Sequence, residues 1–93
     1  MAGALAVPAY GPGGALQSLQ LIPADGPKMN LPGAKMAGAR HIVGQRQHGQ
    51  PLYLCEGIGA AWACWQATGR AAVVCFGWGN VGRVAADIRQ QDN

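Results

Sequence analysis

Residues 52–69 decide the fold, because they are typical of a buried strand that turns directly into a helix: LYLCEGIGAAWACWQATG. The strand is a short apolar run that ends on Glu56, the only glutamate in the chain, and Gly57 follows it. Open α/β sheets bind ligands at the carboxyl ends of their strands. Glu56 is therefore predicted to lie at a ligand-binding edge, where its carboxylate is well placed to hold a metal ion.

A second strand and a second helix are predicted after this unit. The helix at 58–68 is apolar on nearly every face, which predicts that it is covered on both sides or packed tightly on a sheet, and Gly69 ends it. The apolar run 71–76 is typical of a central parallel strand, which a right-handed crossover joins to the first. Asn80 is predicted to cap the next helix, whose apolar residues recur at helical spacing: Val81, Val84, Ala85 and Ile88.

The residues before this core predict a lead-in and a hairpin. Residues 2–15 contain two prolines and four glycines without a period, so residues 1–15 are predicted to be a flexible lead-in or linker. Residues 16–22 alternate as a half-buried strand does, and residues 28–31 return after a turn as the second arm of a hairpin. A further short strand is predicted within residues 37–43, followed by a polar loop.

Composition limits the classes of protein that the chain can belong to. Its 93 residues allow one small domain, and 49% apolar against 12% charged residues excludes a disordered chain. A fragment of a longer protein would also have a high apolar fraction and a low charged fraction. The net charge of +3 permits contact with phosphates without requiring it. The first eight residues lack the basic start of a signal peptide, and no apolar run reaches membrane-spanning length, so no membrane partner is expected.

The cysteines indicate the cellular compartment in which the protein is expected. There are three of them, Cys55, Cys64 and Cys75, all inside apolar runs and without paired metal-ligand spacing. This pattern favours reduced, buried thiols in a cytoplasmic protein. His41 and His48 do not complete a zinc site at their spacing.

Five pieces of sequence follow one another in an order that resembles the Toprim domain of primases and topoisomerases, most closely the primases of plasmids and phages. The resemblance covers roughly residues 16–91. The pieces are LQLI-x-x-DG-x-K with LPG at 19–33, HIVG at 41–44, EG at 56–57, ATG at 67–69, and VV through GN at 73–80 leading to VA at 84–85. The resemblance implies a Toprim-like, Rossmann-like α/β fold, with a small, mostly parallel sheet and two helices that follow an N-terminal β-hairpin. Residues 16–93 are then a partial Toprim-like domain.

The resemblance also implies an activity, which is the synthesis of RNA primers on single-stranded DNA by Mg²⁺-dependent nucleotidyl transfer. Its partners would be the template, nucleoside triphosphates, and a replicative helicase domain in the same or a partner chain. Glu56 and Gly57 would be catalytic, with Glu56 as a ligand of Mg²⁺. Contacts to template or nucleotide phosphates are predicted for five residues: Lys28, Lys35, Arg40, Trp78 and Asn80.

Two departures from the family pattern qualify these expectations. Gly77 follows Phe76, where the family often has an aspartate. The second acidic motif, Asp-x-Asp, belongs to a strand after the last predicted helix, and neither Asp87 nor Asp92 has an acid two residues away. Because Mg²⁺ sites use one or two carboxylates together with water and phosphate oxygens, Glu56 by itself is expected to bind the ion weakly. The 93-residue chain alone is therefore expected to be inactive.

Simpler interpretations stay open for the same residues. An acid at a strand end, such as Glu56, also commonly accepts hydrogen bonds from backbone N–H groups of the following turn. Lys28, Lys35 and Arg40 are also typical of charged residues on a hairpin that is exposed to solvent. Trp62 and Trp65 lie one helical turn apart and are predicted to be core, whereas Trp78 is the better candidate for stacking on a base. Two other functions remain: a non-catalytic nucleic-acid-binding or interaction module with this fold, and a piece of a Toprim nuclease or topoisomerase.

Overall fold

The first part of the chain forms an antiparallel sheet in the computed structural model, which describes residues 3–92. Its strands are β1 (Leu5–Tyr10), β2 (Leu16–Ile22) and β3 (Met29–Asn30), in the spatial order β1-β2-β3. Strands β2 and β3 pair with Gln20 opposite Asn30. The predicted hairpin is therefore confirmed.

Strand β1 corrects the prediction of a flexible lead-in over residues 1–15. It pairs with β2 from Leu5 opposite Ile22 to Tyr10 opposite Leu16, so ordered structure begins well before residue 16. Pro8 is compatible with this strand because β1 lies at the edge of the sheet, where a missing N–H group breaks no ladder. Met1 and Ala2, which belong to the same predicted lead-in, lie outside the described residues.

The buried face of this sheet carries polar side chains. Val7 and Ala9 of β1 are buried, and so are Ser18 and Gln20 of β2. The alternation predicted for residues 16–22 is present, and the leucines on the other face are only half-buried. Gln20 donates a hydrogen bond from its amide nitrogen to Asn30 Oδ1 at 3.2 Å.

A second sheet contains the strand that ends before Glu56. Its members are β4 (His41–Val43), β5 (Tyr53–Cys55) and β6 (Ala72–Val74), in the order β4-β6-β5. Strand β6 is central and fully buried, and β5 runs parallel to it, as predicted. Strand β4 is antiparallel to β6, so the sheet is mixed, which corrects the expectation of a mostly parallel one.

The two helices cover opposite faces of the second sheet. Helix α1 (Ile58–Thr68) packs on Val43, Ala72 and Val74, whereas α2 (Trp78–Asp92) packs through Val84 on Val73 and Cys75. This α/β arrangement with two helices is as predicted. Gly69 ends α1 in the left-handed conformation, with φ of 70°. No helix in the described part of the chain is long and apolar enough to cross a membrane.

Helix α1 is less covered than its composition predicts. Ala61 is its only buried residue, and Trp62 is 50% exposed, which corrects the prediction that Trp62 is core. Trp65 does pack on the core, with its ring centroid 5.1 Å from that of Trp62. The molecule is small, so one face of an apolar helix remains in contact with solvent.

Candidate functional site

The carboxyl ends of β5 and β6 meet at one edge of the second sheet and hold the predicted catalytic residues. The Cys75 N–H group donates to the Cys55 carbonyl at 2.9 Å, and the Gly77 N–H group donates to the Glu56 carbonyl at 2.9 Å. These bonds fix the turn after β5 against the turn after β6. Glu56 is half-buried, and its carboxylate makes no hydrogen bond or ion pair within residues 3–92.

Both helices begin at this edge. Gly57 is the N-cap of α1 in an extended conformation, with φ of −140°, and no side chain caps the helix. The first turn of α1 carries no acidic residue, so its N–H groups and the positive end of the helix dipole face the site without a neutralising side chain. Such a terminus favours negative charge, which suits the Glu56 carboxylate or a phosphate group.

Lys28 reaches the same edge from the hairpin. A Cβ atom built on Gly57 would lie 3.2 Å from Lys28 Nζ, so glycine leaves room for the ammonium group beside the N-terminus of α1. The structure therefore brings together three of the predicted site residues, Lys28, Glu56 and Gly57. We call these three residues, with Trp78, the Glu56 edge.

Trp78 is the fourth member of the Glu56 edge. It is the first residue of α2 and is 76% exposed. The preceding turn has unusual backbone angles, since Phe76 has φ of 60° and Gly77 has φ of 119°. A positive φ is uncommon for a bulky residue such as phenylalanine and is most often found at turns and functional sites. No residue pattern in this segment predicts the positive φ of Phe76.

Arg40 and Lys35 lie elsewhere. Arg40 is buried, donating to Asp87 Oδ2 at 2.6 Å and to the Gly38 carbonyl at 2.8 Å, so its guanidinium is engaged inside the protein and not in position for a phosphate. Lys35 is exposed in the segment between β3 and β4, where its backbone carbonyl accepts a hydrogen bond from Gln17. For Arg40, the prediction of a phosphate contact is thus replaced by a structural role.

Asn80 also has a structural role instead of the predicted cap. Helix α2 begins two residues earlier, at Trp78, and the Asn80 side chain points to the segment before β4. Its Oδ1 accepts from the Gly38 N–H group at 2.7 Å, and its Nδ2 lies 2.9–3.2 Å from the carbonyls of Met36, Ala39 and Cys75. One side chain thereby ties residues 36–39 to the end of β6.

Replacing Asn80 by alanine is expected to lower the free energy of unfolding by about 2 kcal/mol, because the Gly38 N–H group and several carbonyls lose their partner in a partly buried place. Urea unfolding followed by tryptophan fluorescence measures this loss. The matched control is Gln90→Ala, an exposed amide on the same helix, for which we expect a change within about 0.5 kcal/mol. Equal losses for both variants would contradict the role assigned to Asn80.

The Glu56 edge does not form a complete metal site from the residues described. The resemblance implies Mg²⁺, and the donor set here is the single carboxylate of Glu56. Within residues 3–92 there is no group of three histidine, cysteine, aspartate or glutamate side chains placed to hold a metal ion. Because Mg²⁺ prefers several oxygen ligands, the described residues do not by themselves form a site that fits the ion.

Two of the cysteines beside the edge have a raised pKa. Burial raises the pKa of the Cys75 thiol, and burial together with the neighbouring Cys64 raises that of Cys55. A raised pKa lowers the fraction of reactive thiolate at neutral pH. All three cysteines are free; Cys75 is buried, as predicted, whereas Cys55 and Cys64 are half-buried, which corrects the prediction for those two residues.

Comparisons with known proteins do not assign a function to this site. No model of a known protein family matches the chain, and no solved structure matches it. The residues of the Glu56 edge and the motifs of the sequence are therefore the features that point to a function.

Proposed function

We propose that this chain is part of a Toprim-type DNA primase, a longer protein that synthesises RNA primers on single-stranded DNA from nucleoside triphosphates. The observation that carries the proposal is the Glu56 edge, where a strand-end carboxylate, an uncapped helix N-terminus and a lysine meet. The order of motifs in the sequence supports the same function.

The chemistry of the edge suits a nucleotide. Phosphoryl transfer needs positive charge beside the phosphates, and the Lys28 ammonium and the first N–H groups of α1 supply it. The exposed Trp78 ring offers a surface on which a base can stack. Mg²⁺ would supply further charge stabilisation, and Glu56 would be one of its ligands.

A second candidate function is favoured by the lone carboxylate. An edge with one acid and no metal-binding group within residues 3–92 also suits a module that binds nucleic acid without chemistry. In that case nucleic-acid binding would survive the substitution Glu56→Gln, and the coding sequence would stop near Asn93.

The coding sequence downstream of Asn93 and a primer-synthesis assay test the proposal. We expect an Asp-x-Asp strand to follow α2 in the longer protein. That protein is expected to make short RNA products on single-stranded DNA from ribonucleoside triphosphates and Mg²⁺, which gel electrophoresis of labelled products detects. A stop codon near Asn93 would favour the non-catalytic module. Nicked or relaxed plasmid DNA in place of primers would instead assign the protein to the Toprim nucleases or topoisomerases.

A further inference from the structure

Two cysteines lie against each other between helix α1 and the second sheet. Cys55 is the last residue of β5, and Cys64 lies one helical turn after Ala61 in α1. The Cys55 S–H group donates a hydrogen bond to Cys64 Sγ, so the two sulfur atoms are in contact. Both side chains pack against the same cluster of buried residues, which consists of Val43, Ala61, Ala72 and Val74.

The alternation of side chains along the strands directs the third cysteine elsewhere. Cys55 pairs with Val74, whose side chain lies in the cluster under α1. Cys75 is the next residue along the chain and packs in the cluster under α2, because successive side chains of an extended chain point to opposite faces. Its S–H group donates to the Val73 carbonyl at 3.9 Å. The fold therefore pairs Cys55 with Cys64.

The geometry of this pair suits a disulfide bond. The S–S bond is about 2.05 Å long, so two sulfur atoms in hydrogen-bond contact need to approach each other by only roughly 2 Å. Cys55 and Cys64 are free and half-buried, whereas Cys75 is free and buried. A small oxidant in solution thus reaches the pair more readily than it reaches Cys75.

We propose that Cys55 and Cys64 are a reversible disulfide site, which a small disulfide such as glutathione disulfide oxidises. The thiolate of one cysteine attacks a sulfur atom of glutathione disulfide, which breaks that S–S bond and releases one glutathione thiolate. The other cysteine loses its proton to the solvent and attacks the mixed disulfide, which forms the bond between Cys55 and Cys64 and releases the second glutathione. Two electrons pass from the pair to glutathione disulfide, and a dithiol reductant reverses both steps.

The disulfide would close a short loop, residues 55–64, that contains both Glu56 and Gly57. The first turn of α1 is held here by the Ala61 N–H group, which donates to the Gly57 carbonyl at 3.1 Å. A cross-link removes open conformations of such a loop, so the beginning of α1 would separate less readily from the end of β5. This inference concerns the thiols and the elements that they join, and it does not depend on the proposed function.

Mass spectrometry of the full 93-residue chain after incubation with glutathione disulfide tests the pairing. Trypsin releases both Cys55 and Cys64 in the peptide 47–70, and Cys75 in the peptide 71–83. We expect the peptide 47–70 to lose two hydrogen atoms and to carry no glutathione, and the peptide 71–83 to keep its free thiol. Cleavage after Glu56 is expected to leave two fragments that separate only after reduction with dithiothreitol.

Four results of this digest would each overturn the proposal. They are a lasting glutathione adduct on the peptide 47–70, a cross-link between the peptides 47–70 and 71–83, a disulfide between two chains, and three unreacted thiols.

Variants and thermal melting test whether the native packing accommodates the bond. Cys64→Ser is expected to abolish the internal disulfide, whereas the matched control Cys75→Ala is expected to form it to the wild-type extent. Cys75 is buried, so the digest of the wild-type chain decides the pairing whether or not this control folds. The oxidised wild-type chain is expected to melt at least about 5 °C above the reduced chain in circular dichroism, and Cys64→Ser is expected to show no such rise. A lower melting temperature of the oxidised chain would overturn the proposal.

Discussion

Replacing Glu56 by glutamine is expected to abolish primer synthesis by the proposed primase, with a loss of roughly a thousandfold or more. Glutamine keeps the shape of the side chain but removes the negative charge, so it neither holds a divalent cation nor accepts a proton. The Glu56 carbonyl, which accepts the Gly77 N–H group, is unaffected by the change. Incorporation of labelled ribonucleotides on single-stranded DNA measures the loss.

The same substitution is expected to leave stability within about 0.5 kcal/mol of the wild type, since the carboxylate makes no hydrogen bond or ion pair within residues 3–92. The matched control is Asp25→Asn, which neutralises an exposed acid in the hairpin turn and is expected to retain full synthesis. Primer synthesis by a folded Glu56→Gln protein at the wild-type rate would remove Glu56 from the mechanism.

The elements that can be predicted from the sequence are those for which the composition and the flanking residues indicate the same structure. Helix α1 occupies the predicted residues, because an apolar run lies between Gly57, which opens the helix, and Gly69, which ends it in a left-handed conformation. Strand β6 is central and buried, as its continuous apolar residues indicate. In both segments the composition and the flanking glycines point to the same structure.

Strand β1 is not predicted from the sequence, because the contacts that form it are not local. Its residues are rich in alanine, with a proline at position 8, and the strand forms through pairing with β2 and a backbone bridge from Tyr10 to Arg40. Tertiary contacts override weak strand propensity in such a segment. The sequence therefore predicts a linker at Tyr10, and no local pattern indicates that its ring stacks on His41.

The candidate site was predictable in part. The position of Glu56 and Gly57 at a strand end follows from the apolar run before them, and Lys28 joins them because the predicted hairpin forms. The roles of Arg40 and Asn80 were not predictable, because their partners, Asp87 and residues 36–39, are more than 40 residues away in the chain. The identity of a polar residue in the sequence does not indicate whether its side chain binds a ligand or another part of the protein.

Replacing Asp87 by alanine is expected to lower the free energy of unfolding by about 3 kcal/mol. The Arg40 side chain is 9% exposed, and its guanidinium is paired with Asp87 Oδ2 at 2.6 Å and with the Gly38 carbonyl. Removal of the carboxylate leaves a buried positive charge with a carbonyl as its partner, and such a charge costs more than the lost attraction alone. The loss is large for a 93-residue domain, and urea unfolding followed by circular dichroism measures it.

A second substitution separates the cost of an unpaired charge from that of lost packing. In the double variant Arg40→Met, Asp87→Ala no buried charge remains, and the methionine fills the space of the arginine stem, so we expect it to be more stable than Asp87→Ala alone. Asp25→Ala removes an exposed acid and is expected to change stability by no more than about 0.5 kcal/mol. An equally small loss of stability in Asp87→Ala and Asp25→Ala would contradict this role of the ion pair, because it would mean that the Arg40 guanidinium reaches water when Asp87 is absent. The backbone bridge between Tyr10 and Arg40, which joins the two sheets, would then not depend on the ion pair.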